Sequence, residues 1–274
     1  MGHSVRRRLA GFVVRHLKIY NILRRLQPIA TEISFGEDIR SRIDEIRELL
    51  SSLTLSQSSY IRLGDDFDGG YLLSNRIDAG TSCISVGAGT NISFDIAISS
   101  LVNEVHIYDH TIAKLPQIAP ANVKYFPIGL GTKSLGKYLT LQECVSNFPP
   151  NSKLILKVDI EGAEWEIFDT ETSVDFSRFS QIVIEFHDFY KINNEVHFRQ
   201  VSRVLRKLNS THQVINVHAN NWGKFEIVAN VPFADVLEVT YISRVMLGEV
   251  PSRSKIDELN KPCNPNAAEI ELSF

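Results

Sequence analysis

Cysteine is scarce in this 274-residue chain: Cys83, Cys144 and Cys263 are all there are, an odd number without metal-binding spacing. That excludes a disulfide framework and predicts a reduced, cytoplasmic setting without structural zinc. Nowhere do eighteen apolar residues run together, so no transmembrane helix is expected. Acidic residues are missing from positions 1–31, where Arg6, Arg7, Arg8, Arg15, Lys18, Arg24 and Arg25 stand. Taking that +7 from the net charge of −3 leaves −10 on the remainder. An acidic body lacks the clustered Lys and Arg of a nucleic-acid docking face, so no nucleic-acid partner is expected. What is present is ordinary for a soluble globular protein, 43% apolar and 22% charged, and long enough for one substantial core.

Three regions follow from the patterning. Residues 1–55 read as a helical extension. Leu9, Phe12, Val13, Leu17, Tyr20, Leu23 and Leu26 give its first part the apolar face of a basic amphipathic helix, suited to a protein surface or to peripheral contact with the inner membrane face. Arg15 interrupts the apolar stretch too early for a signal peptide, and Arg6 stands where myristoylation needs Ser or Thr. A second helix is expected over residues 37–53. Residues 56–250 form the main domain: a strand–turn–strand unit around Asp65–Gly70, then strands near 83–87, 104–108, 122–127, 153–159, 181–187, 213–218 and 235–242. Helices are expected near 93–102, 134–147, 162–168 and 194–209. Strands alternating with helices predict a doubly wound, Rossmann-like α/β fold with a mostly parallel sheet, and the short spacing near its end predicts an antiparallel last strand. Residues 251–274 read as a surface-hugging tail.

The β-branched run at Cys83–Val86 ends in Gly87-Ala88-Gly89, which lets backbone N–H groups approach a ligand. The next strand ends in Asp109, placed to accept hydrogen bonds from a ribose. A dinucleotide fingerprint wants a third glycine where Ile92 stands, and Asp95 would bring negative charge to a pyrophosphate. A ribose-bearing cofactor without phosphates fits better, and S-adenosylmethionine is the common one. A nicotinamide-dependent oxidoreductase and a non-catalytic nucleoside-binding module remain as alternatives.

Asp159-Ile160-Glu161-Gly162-Ala163-Glu164, behind the apolar strand from Leu154, resembles the signature of FkbM-type S-adenosylmethionine-dependent methyltransferases. Val86–Asn91 resembles their glycine motif and Tyr108-Asp109 their ribose-binding acid. The resemblance covers residues 60–245. It implies a class I methyltransferase fold with a seven-stranded sheet, and methyl transfer, typically to an oxygen of a carbohydrate, glycolipid precursor or other secondary metabolite. On that reading Gly87, Ala88, Gly89, Asn91, Asp109 and Asp159 line the cofactor.

O-methylation needs a group to take the hydroxyl proton. His187 and His218, at the ends of the fifth and sixth strands, are the candidate bases because imidazole titrates near neutrality, and Asp159 stands beside them. Asp68, Tyr71, Glu161 and Asn220 are the candidate acceptor-binding residues. No metal is assigned; Asp159, Glu185 and Asp188, with His187, are the set that would carry a divalent ion.

Overall fold

The computed structural model describes residues 32–33, 37–228, 231–247 and 259–272. The basic helix expected in residues 1–31, with its membrane contact, lies outside the described residues.

Thirteen residues form α1 (Glu37–Leu49), which turns Ile43, Ile46 and Leu50 into the main core. The second helix of the expected extension is therefore part of the domain's packing. A hairpin follows, β1 (Tyr60–Leu63) and β2 (Tyr71–Ser74), closed by the acidic glycine turn. Then come β3 (Ser82–Val86), α2 (Ser93–Ser99), β4 (Val105–Tyr108), β5 (Val123–Phe126), α3 (Leu141–Ser146), β6 (Leu154–Val158), α4 (Glu164–Thr170), β7 (Phe179–Phe186), α5 (Glu195–Thr211) and β8 (His212–Ala219). A small antiparallel pair, β9 (Phe225–Val228) and β10 (Val231–Ala234), leads into β11 (Leu237–Ser243).

Seven strands form one sheet in the order β8-β11-β7-β6-β3-β4-β5. All run parallel except β11, which is antiparallel to both its neighbours. The doubly wound sheet with an antiparallel last strand is thus the observed fold. Its inner strands read as near-continuous apolar runs because both faces are covered. Ile84, Val86, Leu156 and Val158 pack with α1, α3, α4 and α5 on one face, while Cys83 and Ile155 pack with α2 and the hairpin on the other. Strand order reverses between β3 and β6, and ligands of open α/β sheets sit beyond the strand ends at that point.

One helix differs from expectation. Residues 134–147 begin as an extended crossing, with two-residue strands at Gly129–Leu130 and Tyr138–Leu139, and turn helical only at Leu141. The cause is a capping box: the Thr140 hydroxyl accepts from the Glu143 N–H and the Glu143 carboxylate accepts from the Thr140 N–H, which fixes the helix start. Among the described residues no helix is long and apolar enough to cross a membrane.

Candidate active site

The glycine turn closes against β6. The Asp159 N–H donates to Val86 O at 3.0 Å, and the Gly87 N–H to Tyr108 O at 3.0 Å, so the ends of β3, β4 and β6 are tied together. Gly87 has φ +81°, and a Cβ there would lie 1.7 Å from the Asp159 carbonyl oxygen. Gly89, at φ +53°, has nothing within 4 Å of where a Cβ would stand. Asp109 accepts four hydrogen bonds: from Ala88 N (3.0 Å) and Gly89 N (2.7 Å) on Oδ2, and from Thr111 N (2.7 Å) and Thr111 Oγ1 (2.6 Å) on Oδ1. Burial alone would raise its pKa, but these bonds outweigh it and hold the carboxyl below its usual value.

A cleft of about 620 Å³ opens above this turn. At one end stand His110, Leu130 and Tyr138, the Tyr138 hydroxyl 3.0 Å from His110 Nε2. At the other end lie Tyr71, Asp95, Lys157 and Asp159. The acidic turn of the hairpin folds over the cleft through Asn91, whose amide donates to Asp65 Oδ2 and to Asp68 O, each at 3.0 Å, and accepts from Ser93 N. Asn91 lines the cleft, while its side-chain bonds go to the hairpin turn.

A side pocket of about 340 Å³ adjoins the cleft and shares Asp68, Asp159 and Glu161 with it. Its other walls include Glu185, His187, Asn220 and Trp222. The Tyr71 hydroxyl donates to Asp159 Oδ2 (3.2 Å) and Glu185 Oε2 (3.4 Å), and Asn220 donates to Glu185 Oε1 (2.8 Å). Three of the four expected acceptor residues, Asp68, Glu161 and Asn220, line this pocket, and Tyr71 bonds two of its acids. Burial, then the charges of Asp159 and Glu238, push Glu185 well above the carboxylate range and raise Asp68. Glu161, at the rim, is held at φ 59°, a conformation costly for a residue with a Cβ.

The two candidate histidines part company. His187 lines the side pocket, with Nδ1 2.9 Å from Glu164 Oε1 and Nε2 3.6 Å from both Glu161 and Glu185. Burial pulls its pKa down, but the Glu164 bond and the charges of Glu164, Glu185 and Asp159 prevail and set it at about 9. At neutral pH it is an imidazolium, so the expectation of a neutral base here is corrected. His218 lines neither the cleft nor the side pocket. It is buried beside Glu238 (2.8 Å from Nδ1) and Glu269, one strand further out than β7 neighbours would allow, because β11 lies between β7 and β8. That removes it from the reacting centre. Asp188, in the set considered for a metal, is turned to Lys191 at 2.6 Å and stands outside the side pocket; at this pocket it is Asp159, Glu161 and His187 whose donor atoms converge within 4.8 Å.

Lys157 was not singled out by the sequence. It is buried in β6, bonds the Gly87 carbonyl, lies 3.5 Å from Asp159 Oδ2 and sits opposite Ser85 in register. A lysine inside the apolar run Leu154–Val158 was the available signal. Asp95 is buried in α2 at the same end of the cleft, beside the Ser85 hydroxyl. Burial raises its pKa against the pull of Lys157.

The buried imidazoles give the fold a definite pH response. His187 has a folded-state value near 9, above the ordinary 6.5, so its contribution is full below pH 6.5 and lost as pH rises through about 9. His212, buried with Nε2 2.9 Å from Phe179 O, is depressed by burial to about 4, so its contribution is lost as pH falls from 6.5 to about 4. From the imidazoles alone thermal melts are expected to peak near pH 6.5, and the acids Glu185, Asp68 and Asp95, whose values are raised, add to the loss as pH rises. The fall on the alkaline side should be on the order of a few kcal/mol, one pKa unit being worth about 1.4 kcal/mol. A melting temperature flat from pH 6.5 to about 9 would contradict the raised value of His187.

Residues 139–219 match a family model described as the Methyltransferase FkbM domain, so the resemblance carried by Asp159–Glu164 stands; the glycine turn and Asp109 lie outside the matched residues. No curated protein matches the chain. Among solved structures it is similar to a putative methyltransferase from Streptococcus mutans, SMU.1697c, in complex with SAH: 13% identity, 61% of this chain and 88% of that one, TM-score 0.32. It is also similar to a dimethyladenosine transferase from Plasmodium falciparum (12% identity, 62% of this chain, 58% of that one, TM-score 0.34). A third is an rRNA methylase from Streptococcus thermophilus (9% identity, 77% of this chain, 99% of that one, TM-score 0.31). The expectation of no nucleic-acid partner is corrected on its own ground: it rested on net acidity, which alone does not exclude such an acceptor, and a structure described as an rRNA methylase stands among those similar to the chain.

Proposed function

We propose that this protein is an S-adenosylmethionine-dependent methyltransferase acting on a hydroxyl oxygen of a carbohydrate-type acceptor. The observation that carries the reading is the pair of joined cavities, a glycine-turn cleft ending in Asp109 and an acid-lined side pocket, with Asp159 in the wall of both. The residues fit the cofactor. The open space at Gly89 is what a side chain would fill, and the Thr111 hydroxyl is the one rotatable donor on Asp109 that can yield to a ribose hydroxyl. His110, Leu130 and Tyr138 would enclose the base. Lys157 and Asp95 would offer both signs of charge to the amino-acid end.

Bound there, S-adenosylmethionine supplies an electrophilic methyl group. The chain's own contribution is positioning and proton removal. Asp68, Glu185 and Asn220 present acceptors and a donor to a polyol, and Trp222, 40% exposed at the pocket wall, adds ring surface. Asp159 takes the hydroxyl proton as the oxygen attacks. The His187 imidazolium, tied to Glu164, offsets the negative charge of the surrounding carboxylates.

Calorimetry tests the cofactor reading. S-adenosylhomocysteine is expected to bind and NADH not, and Asp109→Ala should weaken binding about 10–150-fold, the worth of hydrogen bonds to a charged group. Unchanged affinity in Asp109→Ala would remove the ribose role, and tighter binding of NADH would favour an oxidoreductase. Labelled methyl transfer to separate glycan, glycolipid, small-metabolite and rRNA fractions tests the acceptor; label confined to rRNA would replace the carbohydrate reading.

A further inference from the structure

Away from the cleft, three donors of different chemistry meet in the interior: His218 on β8, Glu238 on β11 and Cys263 in the segment 259–272. All three are buried and their donor atoms lie within 4.8 Å of one another. His218 Nδ1 is 2.8 Å from Glu238 Oε2, and Cys263 Sγ is 3.3 Å from Glu238 Oε1. We propose that His218 Nδ1, a Glu238 carboxylate oxygen and Cys263 Sγ form a binding site for a divalent metal of zinc type, which fastens the C-terminal segment to the sheet.

Four observations support the assignment. First, the spacing suits a tetrahedral ion: bonds of about 2.0–2.3 Å put ligand atoms roughly 3.3–3.8 Å apart, so small side-chain adjustments suffice. Second, the other imidazole nitrogen is already held. Glu269 bonds Nε2, the carboxylate contact that orients a metal-ligating histidine and leaves Nδ1 facing Glu238 and Cys263. Third, Glu185 stands directly opposite Glu238 in the β7–β11 register, and two buried acids side by side gain from a cation. Fourth, the segment carrying Cys263 is rigidly placed. The Asn221 amide donates to the carbonyls of Asn264, Ala267 and Ala268 and accepts from Asn264 N, so the thiol is delivered to a fixed position.

The donor set selects the ion. One sulfur, one imidazole nitrogen and one carboxylate suit Zn²⁺ and disfavour Mg²⁺ or Ca²⁺, which prefer all-oxygen shells. These three ligands leave one tetrahedral position for a further ligand. On binding, the Cys263 thiol and the Nδ1–H of His218 each release a proton to solvent, and no electrons move. Sequence spacing concealed the group, because its members stand twenty and twenty-five residues apart and belong to separate elements.

The full chain, purified without chelator, is expected to hold about one zinc per molecule. Stripped and titrated with Co²⁺, it should develop a thiolate-to-cobalt charge-transfer band. That band identifies the site, since Cys83 and Cys144 lie in the two core clusters and belong to no donor group among the described residues. Cys263→Ser should abolish the band and the retained zinc while keeping the far-ultraviolet dichroism of the folded chain. Glu269→Gln should weaken zinc affinity about 10–100-fold without removing a ligand. Two outcomes would overturn the proposal: folded wild-type protein that neither retains zinc nor gives the band, or a band that persists in Cys263→Ser. The first would leave the cluster a hydrogen-bonded network only.

Discussion

A Gly87→Ala protein is expected to show no measurable binding of S-adenosylhomocysteine and a melting temperature several degrees lower. The added methyl would stand 1.7 Å from the Asp159 carbonyl oxygen and 2.8 Å from its carbon. Both are backbone atoms, so no rotamer relieves the clash. The residue would also be held at φ +81°, outside the region open to side-chain-bearing residues at low cost. Either the turn leaves the left-handed region or β3 and β6 separate at their ends. Each movement breaks the Asp159 N–H bond to Val86 O and withdraws the Ala88 and Gly89 N–H groups from Asp109. A stability loss of about 2–4 kcal/mol is expected from strain and steric overlap together. Gly80→Ala is the control. Nothing lies within 4 Å of its Cβ position, and its effect should stay within about 0.5 kcal/mol. Wild-type affinity in folded Gly87→Ala would show that the turn does not carry the cofactor.

The sheet was legible in the sequence because burial on both faces leaves a continuous apolar run at each inner strand, and a change of direction showed in the short link before β11. Gly87 and Asp109 were legible for a related reason: a strand end that must turn sharply or hold a charge leaves one residue type in its place. Spatial order across the sheet left no such mark. The fifth and sixth strands in sequence look adjacent, yet β11 inserts between them. Neighbouring strands lie about 4.8 Å apart, so the end of β8 sits roughly 10 Å from that of β7, enough to move His218 out of the acceptor pocket. Lys157 and Asp95 were obscured similarly, since a strand face and a helix face must be superposed before their charges meet. The Thr140–Glu143 box states a helix start at Leu141, later than the expected residue 134, and was itself legible in the sequence.

Asp159→Asn is expected to lower kcat about 10²–10⁴-fold, the range for losing a positioned proton acceptor, while S-adenosylhomocysteine affinity changes far less. The amide keeps the shape of the carboxylate and can still accept from the Tyr71 hydroxyl, now 3.2 Å from Oδ2, so the pocket should persist. What it cannot do is take a proton. The pH profile separates this role from that of His187. Wild-type kcat should decline as pH passes about 9, where the imidazole loses the charge that balances Glu161, Glu164 and Glu185. Replacing that ring in His187→Gln should reduce the rate and remove the alkaline decline, because no group is left there to titrate. In Asp159→Asn the decline should remain, superimposed on a rate that is low at every pH. If Asp159→Asn kept wild-type kcat while His187→Gln lost activity chiefly below pH 9, proton removal would belong to the imidazole after all, and its raised pKa in the resting protein would have to fall when the acceptor binds.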